Sequence, residues 1–301
     1  LSYTPGKIFI AADVTRLLYS KAHQNIFRWD PQTRTYGDSI ALIGTADYMA
    51  YSAETNTIYL AYNSGLIRKI ELSAVEPSEV PFATLVTDPR GLATAGPYVF
   101  AVDASGAWFT HYTFTPDGTE IDAVDWNYFS SEYVWSEEQQ KMYFFTSTNS
   151  PTTIVAEEIN ADGTTYPYAQ PGGIWQKYSS PPQIFGGFSQ PIRVSPDGGV
   201  ALLGSGALHN GVTLERLPYA LSNSITDAAW MGDVPYSIRN LNGVSQLQRW
   251  GLPTYEQTLA MERPGTAHSL HAIGDNQLLA ITISINGIPT FNLLDSELQL
   301  V

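Results

Sequence analysis

Short apolar runs separated by polar turns fill this chain. Residues 48–73 read YMAYSAETNTIYLAYNSGLIRKIELS. Tyr48, Ala50 and Ser52 alternate with Met49, Tyr51 and Ala53. The polar AETN is followed by TIYLAY at 57–62, the turn NSG, and LIRKIELS at 66–73. A polar stretch containing Pro77 then leads into VPFATL. A period of two, bounded by Gly, Asn and Pro, predicts four short strands joined by tight turns. No segment carries the period of an amphipathic helix.

The unit recurs. Its clearest marker is the apolar second strand: RLLYSK from Arg16, TIYLAY from Thr57, YVFAVD from Tyr98, KMYFFT from Lys141, VALLGS from Val200, VPYSIR from Val234 and QLLAIT from Gln277. Successive markers lie 41, 41, 43, 59, 34 and 43 residues apart. The average, about 43, matches the length of a four-stranded propeller blade. Turn residues support the alignment. SAETN, SEEQQ, SPDGG and IGDN precede the marker, and NSG, ASG, NSP, LNG and ING follow it. Gly and Asn supply the positive φ of tight hairpins. TPDGTE at 115–120 and NADGTT at 160–165 mark later hairpins of the third and fourth units.

A lone four-stranded sheet cannot bury both of its faces. Seven such sheets packed side by side can, and they leave only short edges. A β-sandwich rarely shows seven units at this spacing, and the coils of a β-helix are shorter. The expected fold is therefore all-β: a single seven-bladed β-propeller over residues 1–301, of four-stranded antiparallel blades. LLAIT, IPTFNLL and a short LQLV are expected as the last three strands, with the part played by the N-terminal LSYT left open.

VSPDGGVALL at 194–203 resembles the Ser-Pro-Asp-Gly turn of bacterial YVTN and WD-like propellers, and DPRGLATAGPYVFAVDASG at 88–106 resembles an NHL or YVTN blade. The Trp-Asp ending of WD repeats is missing. The resemblance implies the propeller fold. Such propellers include binding scaffolds, surface antigens and some enzymes, so function stays open at this point.

The 59-residue step is about sixteen residues longer than a usual blade. The excess falls at 165–190, TYPYAQPGGIWQKYSSPPQIFGGFSQ, which holds Tyr166, Tyr168, Trp175, Tyr178, Phe185 and Phe188 among Gly and Pro. Long loops on rigid scaffolds often carry function. Two glycines precede Trp175, as suits a ring presented from a loop. Tyr168, Tyr178 and Phe188 are candidates to join it as an aromatic shelf for a sugar or peptide. Rings that cap the core are the alternative.

Composition narrows the partners. The net charge is −14 and the pI about 4.6, a field that repels nucleic acid and anionic membranes. No apolar run reaches the length of a membrane span. Only 15% of residues are charged, 12% are aromatic, and there is no cysteine. Absent thiols fit an exported bacterial protein, so the expected location is secreted, periplasmic or cell-surface. The chain starts Leu-Ser-Tyr and reads as a mature or excised fragment, monomeric or part of a longer multidomain protein.

Candidate chemistry is sparse. The five histidines, His23, His111, His209, His268 and His271, show no zinc-ligand pattern. On a regular strand His268 and His271 face opposite sides. Asp117, Glu120 and Asp122 read as a hairpin with Asp-Gly at its tip rather than a calcium loop. Neither a sialidase Asp-box, a Gly-x-Ser-x-Gly elbow nor a phosphate-binding glycine loop is present. Neither cofactor nor metal is expected. Near the starts of first strands stand Asp47, Arg90, Glu132, Arg193, Asp227 and His268. Of these, Arg90, Arg193 and His268 are candidates for ligand contact, and mutual charge pairing is the plainer role. The expected function is a non-catalytic binding propeller with a carbohydrate or protein ligand. The alternative is a hydrolase, lactonase or lyase that uses carboxylates and arginines, and no catalytic residue is assigned.

Overall fold

The computed structural model describes residues 3–11, 13, 15–126, 130, 132–145, 154–165 and 189–301. Among them there is no helix, and the strands form seven antiparallel sheets. The protein is a seven-bladed β-propeller. It divides into two compact units, Pro5–Ser179 and Leu1–Thr4 with Ser180–Val301.

The Pro5–Ser179 unit carries four sheets. The first holds β1 (Lys7–Ile10), β2 (Arg16–Ser20), β3 (Asn25–Asp30) and an outer strand broken into β4 (Thr35–Tyr36) and β5 (Ile40–Ala41), both paired with β3. The second holds β6 (Tyr48–Ser52), β7 (Thr57–Ala61), β8 (Leu66–Glu71) and β9 (Val80–Thr84). The third holds β10 (Pro89–Ala95), β11 (Tyr98–Asp103), β12 (Phe109–Phe114) and β13 (Glu120–Trp126). The fourth holds β14 (Val134–Ser136), β15 (Lys141–Phe145) and β16 (Ile154–Glu158), with one further bridge from Ile159 to Thr165.

The other unit carries three. The fifth sheet is β17 (Ile192–Val194), β18 (Val200–Leu203), β19 (Ala207–Asn210) and β20 (Arg216–Ala220). The sixth is β21 (Asp227–Met231), β22 (Val234–Leu241), β23 (Val244–Gly251) and β24 (Glu256–Arg263). The seventh is β25 (Thr266–Ile273), β26 (Gln277–Ile283) and β27 (Pro289–Leu294). LQLV joins it through a single bridge, Leu300 to Leu294, and a bond from the Val301 N–H to the Leu293 carbonyl. That pairing is too short to count as a fourth strand.

Each of the seven marker segments is the second strand of its sheet. Their continuous apolar character follows from burial on both faces. Along β7, Ile58 and Leu60 join a core with Leu17 and Ile26 of the first sheet, while Tyr59 and Ala61 join one with Val99 and Phe114 of the third. In β11, Val99 and Ala101 face the second sheet, and Phe100 and Val102 face Met142 of the fourth. In the other unit, Tyr236 and Ile238 of β22 pack with Leu278 of the seventh sheet, and Trp230 and Trp250 pack with Leu202 of the fifth. Ser237, on the opposite face of β22 from Tyr236, accepts a bond from the Trp250 indole N–H at 2.9 Å, so the ring's one polar group is satisfied in the core.

The later hairpins also match their sequence. At 115–119 the Thr115 N–H binds the Thr119 carbonyl around Gly118, whose φ is +95°. The Asp117 carboxylate caps this turn through the Thr119 N–H at 3.2 Å and the Thr115 hydroxyl. The Asp122 carboxylate reaches the next sheet, accepting from the Thr165 N–H at 2.9 Å.

Truncating a second strand therefore opens a cavity with core on both sides. Leu60→Ala is expected to destabilise the protein by about 3 kcal/mol in denaturant titration, as large-to-small changes at fully buried sites do. A loss below about 1 kcal/mol would contradict burial on two faces.

Candidate functional site

A cleft lies where three consecutive sheets of the Pro5–Ser179 unit expose their first turns, and it arises from unequal turn length. Between β6 and β7 the pairing ends at Ser52 and Thr57, leaving a four-residue turn, 53–56. Between β14 and β15 it ends at Ser136 and Lys141, leaving another, 137–140. Both turns close on a left-handed residue, Asn56 (φ +48°) and Gln140 (φ +50°). The sheet between them has a shorter turn. Ala95 pairs with Tyr98, so only Gly96 and Pro97 span β10 to β11. A positive-φ glycine (+57°) followed by proline suits a two-residue hairpin. The tall turns flank the short one and leave a cavity of about 220 Å³ above it.

Chemistry concentrates there. A Cβ built on Gly96 would lie 3.6 Å from a carboxylate oxygen of Glu54 and 3.6 Å from one of Glu137, so both acids converge on the same point. Glu137 is held in place: its Oε2 accepts from the Trp135 indole N–H at 2.8 Å and its Oε1 from Gln140 Nε2 at 3.1 Å. Tyr98 forms another wall, its hydroxyl donating to the Ala161 carbonyl at 2.8 Å. The Ser52 hydroxyl bonds the Gly96 carbonyl at 3.3 Å and ties the second sheet to the floor. The result is a pocket with two half-buried aromatic rings and two carboxylates, of which Glu137 is held by hydrogen bonds and Glu54 is exposed on its turn.

The first-strand candidates have other surroundings. Arg90 is the extra residue of a β-bulge in β10, where pairing slips between Pro89 and Gly91. Its side chain is exposed, and its charge counteracts the upward push that burial gives the Tyr48 phenol. Arg193 is engaged within the fold. Its Nε donates to Asp227 Oδ1 at 2.7 Å and its Nη1 to the Ile192 carbonyl at 2.6 Å. Asp227 is buried and also accepts from the N–H groups of Ala228 and Leu270, each at 2.9 Å, so one carboxylate joins β17, β21 and β25. Asp47 faces Lys21 at 3.8 Å, and the Glu132 N–H bonds the Ser130 hydroxyl at 3.3 Å.

His268 occupies a second bulge, between Ala267 and Ser269. The extra residue breaks the alternation that places His268 and His271 on opposite faces. Both rings instead reach the Ser269 hydroxyl, His268 Nδ1 at 3.3 Å and His271 Nε2 at 3.0 Å. Among the described residues no group of three or more His, Asp or Glu is placed to hold a metal ion. Tyr168, Trp175, Tyr178 and Phe188 lie outside the described residues.

Two further histidines serve the core. His111 Nδ1 meets Glu157 Oε2 at 2.7 Å, both side chains fully buried, edge-on to Phe100, Tyr133 and Phe144. His209 Nδ1 lies 2.9 Å from the Leu214 carbonyl, which only accepts, so this nitrogen carries the proton. The bond steadies Leu214, a buried residue held at φ +62°. Desolvation pulls the His209 imidazole below its ordinary value. The Leu214 bond opposes that pull, and Arg216 adds to it.

No protein-family model matches the chain, nor does any curated protein sequence. Solved structures do match. The β-propeller domain of Cps50 (Swd1) from Myceliophteria thermophila superposes with a TM-score of 0.66 at 9% identity, covering 98% of each chain. Kuenenia stuttgartiensis hydrazine synthase gives 0.65 at 11%, over 99% of this chain and 97% of that one. The WD40 repeats of RRP9 give 0.61 at 10%, over 93% and 87%. At such identities the likeness establishes the fold alone, the propeller that the YVTN, NHL and WD-like resemblance implies.

Two outcomes follow from these placements. Asp227→Ala takes the carboxylate away from a partly buried guanidinium and from two buried N–H groups and is expected to cost about 3 kcal/mol. Glu71→Ala, which removes a surface partner of Lys69, is expected to change little. Comparable losses for the two variants in urea titration would contradict the bridging role of Asp227.

The unfolded chain protonates His209 at a higher pH than the folded one does, so the unfolded state binds more protons on acidification. The stability that neutral His209 contributes is complete above pH ~6.5 and declines as the pH falls below it. His209→Gln, which keeps a donor for Leu214, is expected to flatten the fall in unfolding free energy between pH 7 and 5. An unchanged slope would overturn the assignment.

Proposed function

We propose that the chain is a binding module that docks a protein partner, with the cleft over Gly96 as the contact point. The observation that carries this reading is the cleft itself: Trp135 and Tyr98 present ring surface beside two carboxylates, on turns fixed by β-sheet hydrogen bonds. Aromatic anchors in preorganised pockets supply much of the energy of protein recognition. The carboxylates favour a protein over a neutral sugar, because desolvating two negative charges against hydroxyl groups alone is costly. Work outside the cytoplasm belongs to the same reading, supported by the absence of cysteine and by the acidic surface.

Panning a displayed library of random twelve-residue peptides on the 301-residue protein tests it. Ala161 is exposed at the cleft wall, and its contribution to the fold is its carbonyl, so Ala161→Trp fills the pocket without touching the core. Enriched peptides are expected to bind wild type and to lose at least about tenfold in affinity on Ala161→Trp, with the melting temperature unchanged. No enrichment, or peptides indifferent to the filled cleft, would overturn the proposal.

A further inference from the structure

The geometry points to an arginine side chain of the partner as the group that enters the Gly96 cleft. This inference rests on the docking role proposed above and names the chemistry that the cleft selects.

Three features lead there. First, charge: Glu54 and Glu137 come from different sheets and converge over one glycine, within a protein of net charge −14. Second, preorganisation: the Trp135 indole and Gln140 already donate to Glu137, one to each oxygen, so its plane is set before any ligand arrives. Each oxygen keeps a further lone pair for a new donor. Third, shape: the Trp135 and Tyr98 rings line the cavity beside the acids, and the floor is a residue without a side chain. A guanidinium is planar, stacks on aromatic faces and presents donors along several edges. It can lie against Trp135 while one edge meets Glu137 and another meets Glu54. Lysine offers a compact, strongly hydrated charge that neither stacks in this way nor bridges two separated carboxylates with fixed geometry. The cavity of about 220 Å³ leaves room for the methylene stem beside Tyr98.

Substituting Gly96 would perturb its positive-φ turn, so the acids are the better test. Gln at 137 keeps an acceptor for Trp135, and Glu54 lies exposed on its turn. The probes are N-acetyl-arginine amide, its neutral isostere N-acetyl-citrulline amide, and N-acetyl-lysine amide. Each is titrated into the full 301-residue protein while the Trp135 indole N–H resonance is followed by NMR, assigned with Trp135→Phe.

The arginine probe is expected to shift that resonance saturably in the millimolar range. Citrulline is expected to leave it in place, and lysine to bind at least about fivefold more weakly than arginine. Glu54→Gln with Glu137→Gln is expected to weaken the arginine probe at least about tenfold, and 0.5 M salt to weaken it as well. Equal binding of citrulline, equal binding of lysine, or indifference to the double substitution would each overturn the arginine assignment. The library peptides separate the two levels of the proposal. Peptides that need the open cleft but tolerate replacement of every arginine by citrulline would overturn the arginine while leaving the docking role standing. The absence of any cleft-dependent peptide would remove both.

Discussion

The second strand of each sheet has almost no face left for water. A twisted four-stranded sheet offers two sides, and in the second and third sheets neighbours cover the second strand on both. Ile58 and Leu60 look one way along β7 and Tyr59 and Ala61 the other, all four fully buried. Non-directional burial of this kind supplies most of the driving force for folding. It also sets a boundary condition on everything else: polar groups caught between sheets must find partners there, and variation is confined to the turns.

Both consequences are visible. Between sheets, trapped carboxylates take donors from several neighbouring segments. The Glu79 side chain, almost fully buried, takes the Ile43 N–H and the Tyr62 hydroxyl at 2.9 Å each and lies 3.0 Å from Arg68 Nε. At the turns, length varies while the sheets beneath stay alike. Two residues at Gly96 and Pro97 against four on either side are enough to create a cleft, so a concave surface arises from subtraction on a repeated scaffold. This is the usual division of labour in repeat proteins, where stacked units carry stability and the loops carry specificity.

That division explains what the sequence discloses. Double-sided burial turns second strands into unbroken apolar runs, and seven such runs at near-constant spacing define the architecture without any structure. The hairpins at Gly118 and Gly163 are equally readable, since only glycine sits easily at their positive φ. The cleft is harder to see. Glu54 and Glu137 are 83 residues apart, lie in turns of ordinary composition, and meet only because the intervening turn is short. Comparing turn lengths blade by blade is the signal that finds it. Bulges hide in the same way: the slip of register at His268 reverses the facing of the residues after it, and the chemical character of Ala-His-Ser-Leu-His gives no hint of the extra residue. Hydrogen bonds across sheets, such as His111 with Glu157, join strands 46 residues apart and leave no local pattern.

The Asp227 carboxylate has a kinetic corollary. Its two oxygens hold the amide hydrogens of Ala228 and Leu270, on the first strands of adjacent sheets. Solvent can fetch the Leu270 proton only when those two strands part, whereas fraying of an outer strand such as β24 leaves it shielded. The deuterium uptake of this one amide thus reports the opening of one sheet from the next, separately from breathing at the periphery, and gives the cooperativity of the three-sheet unit an address in the backbone.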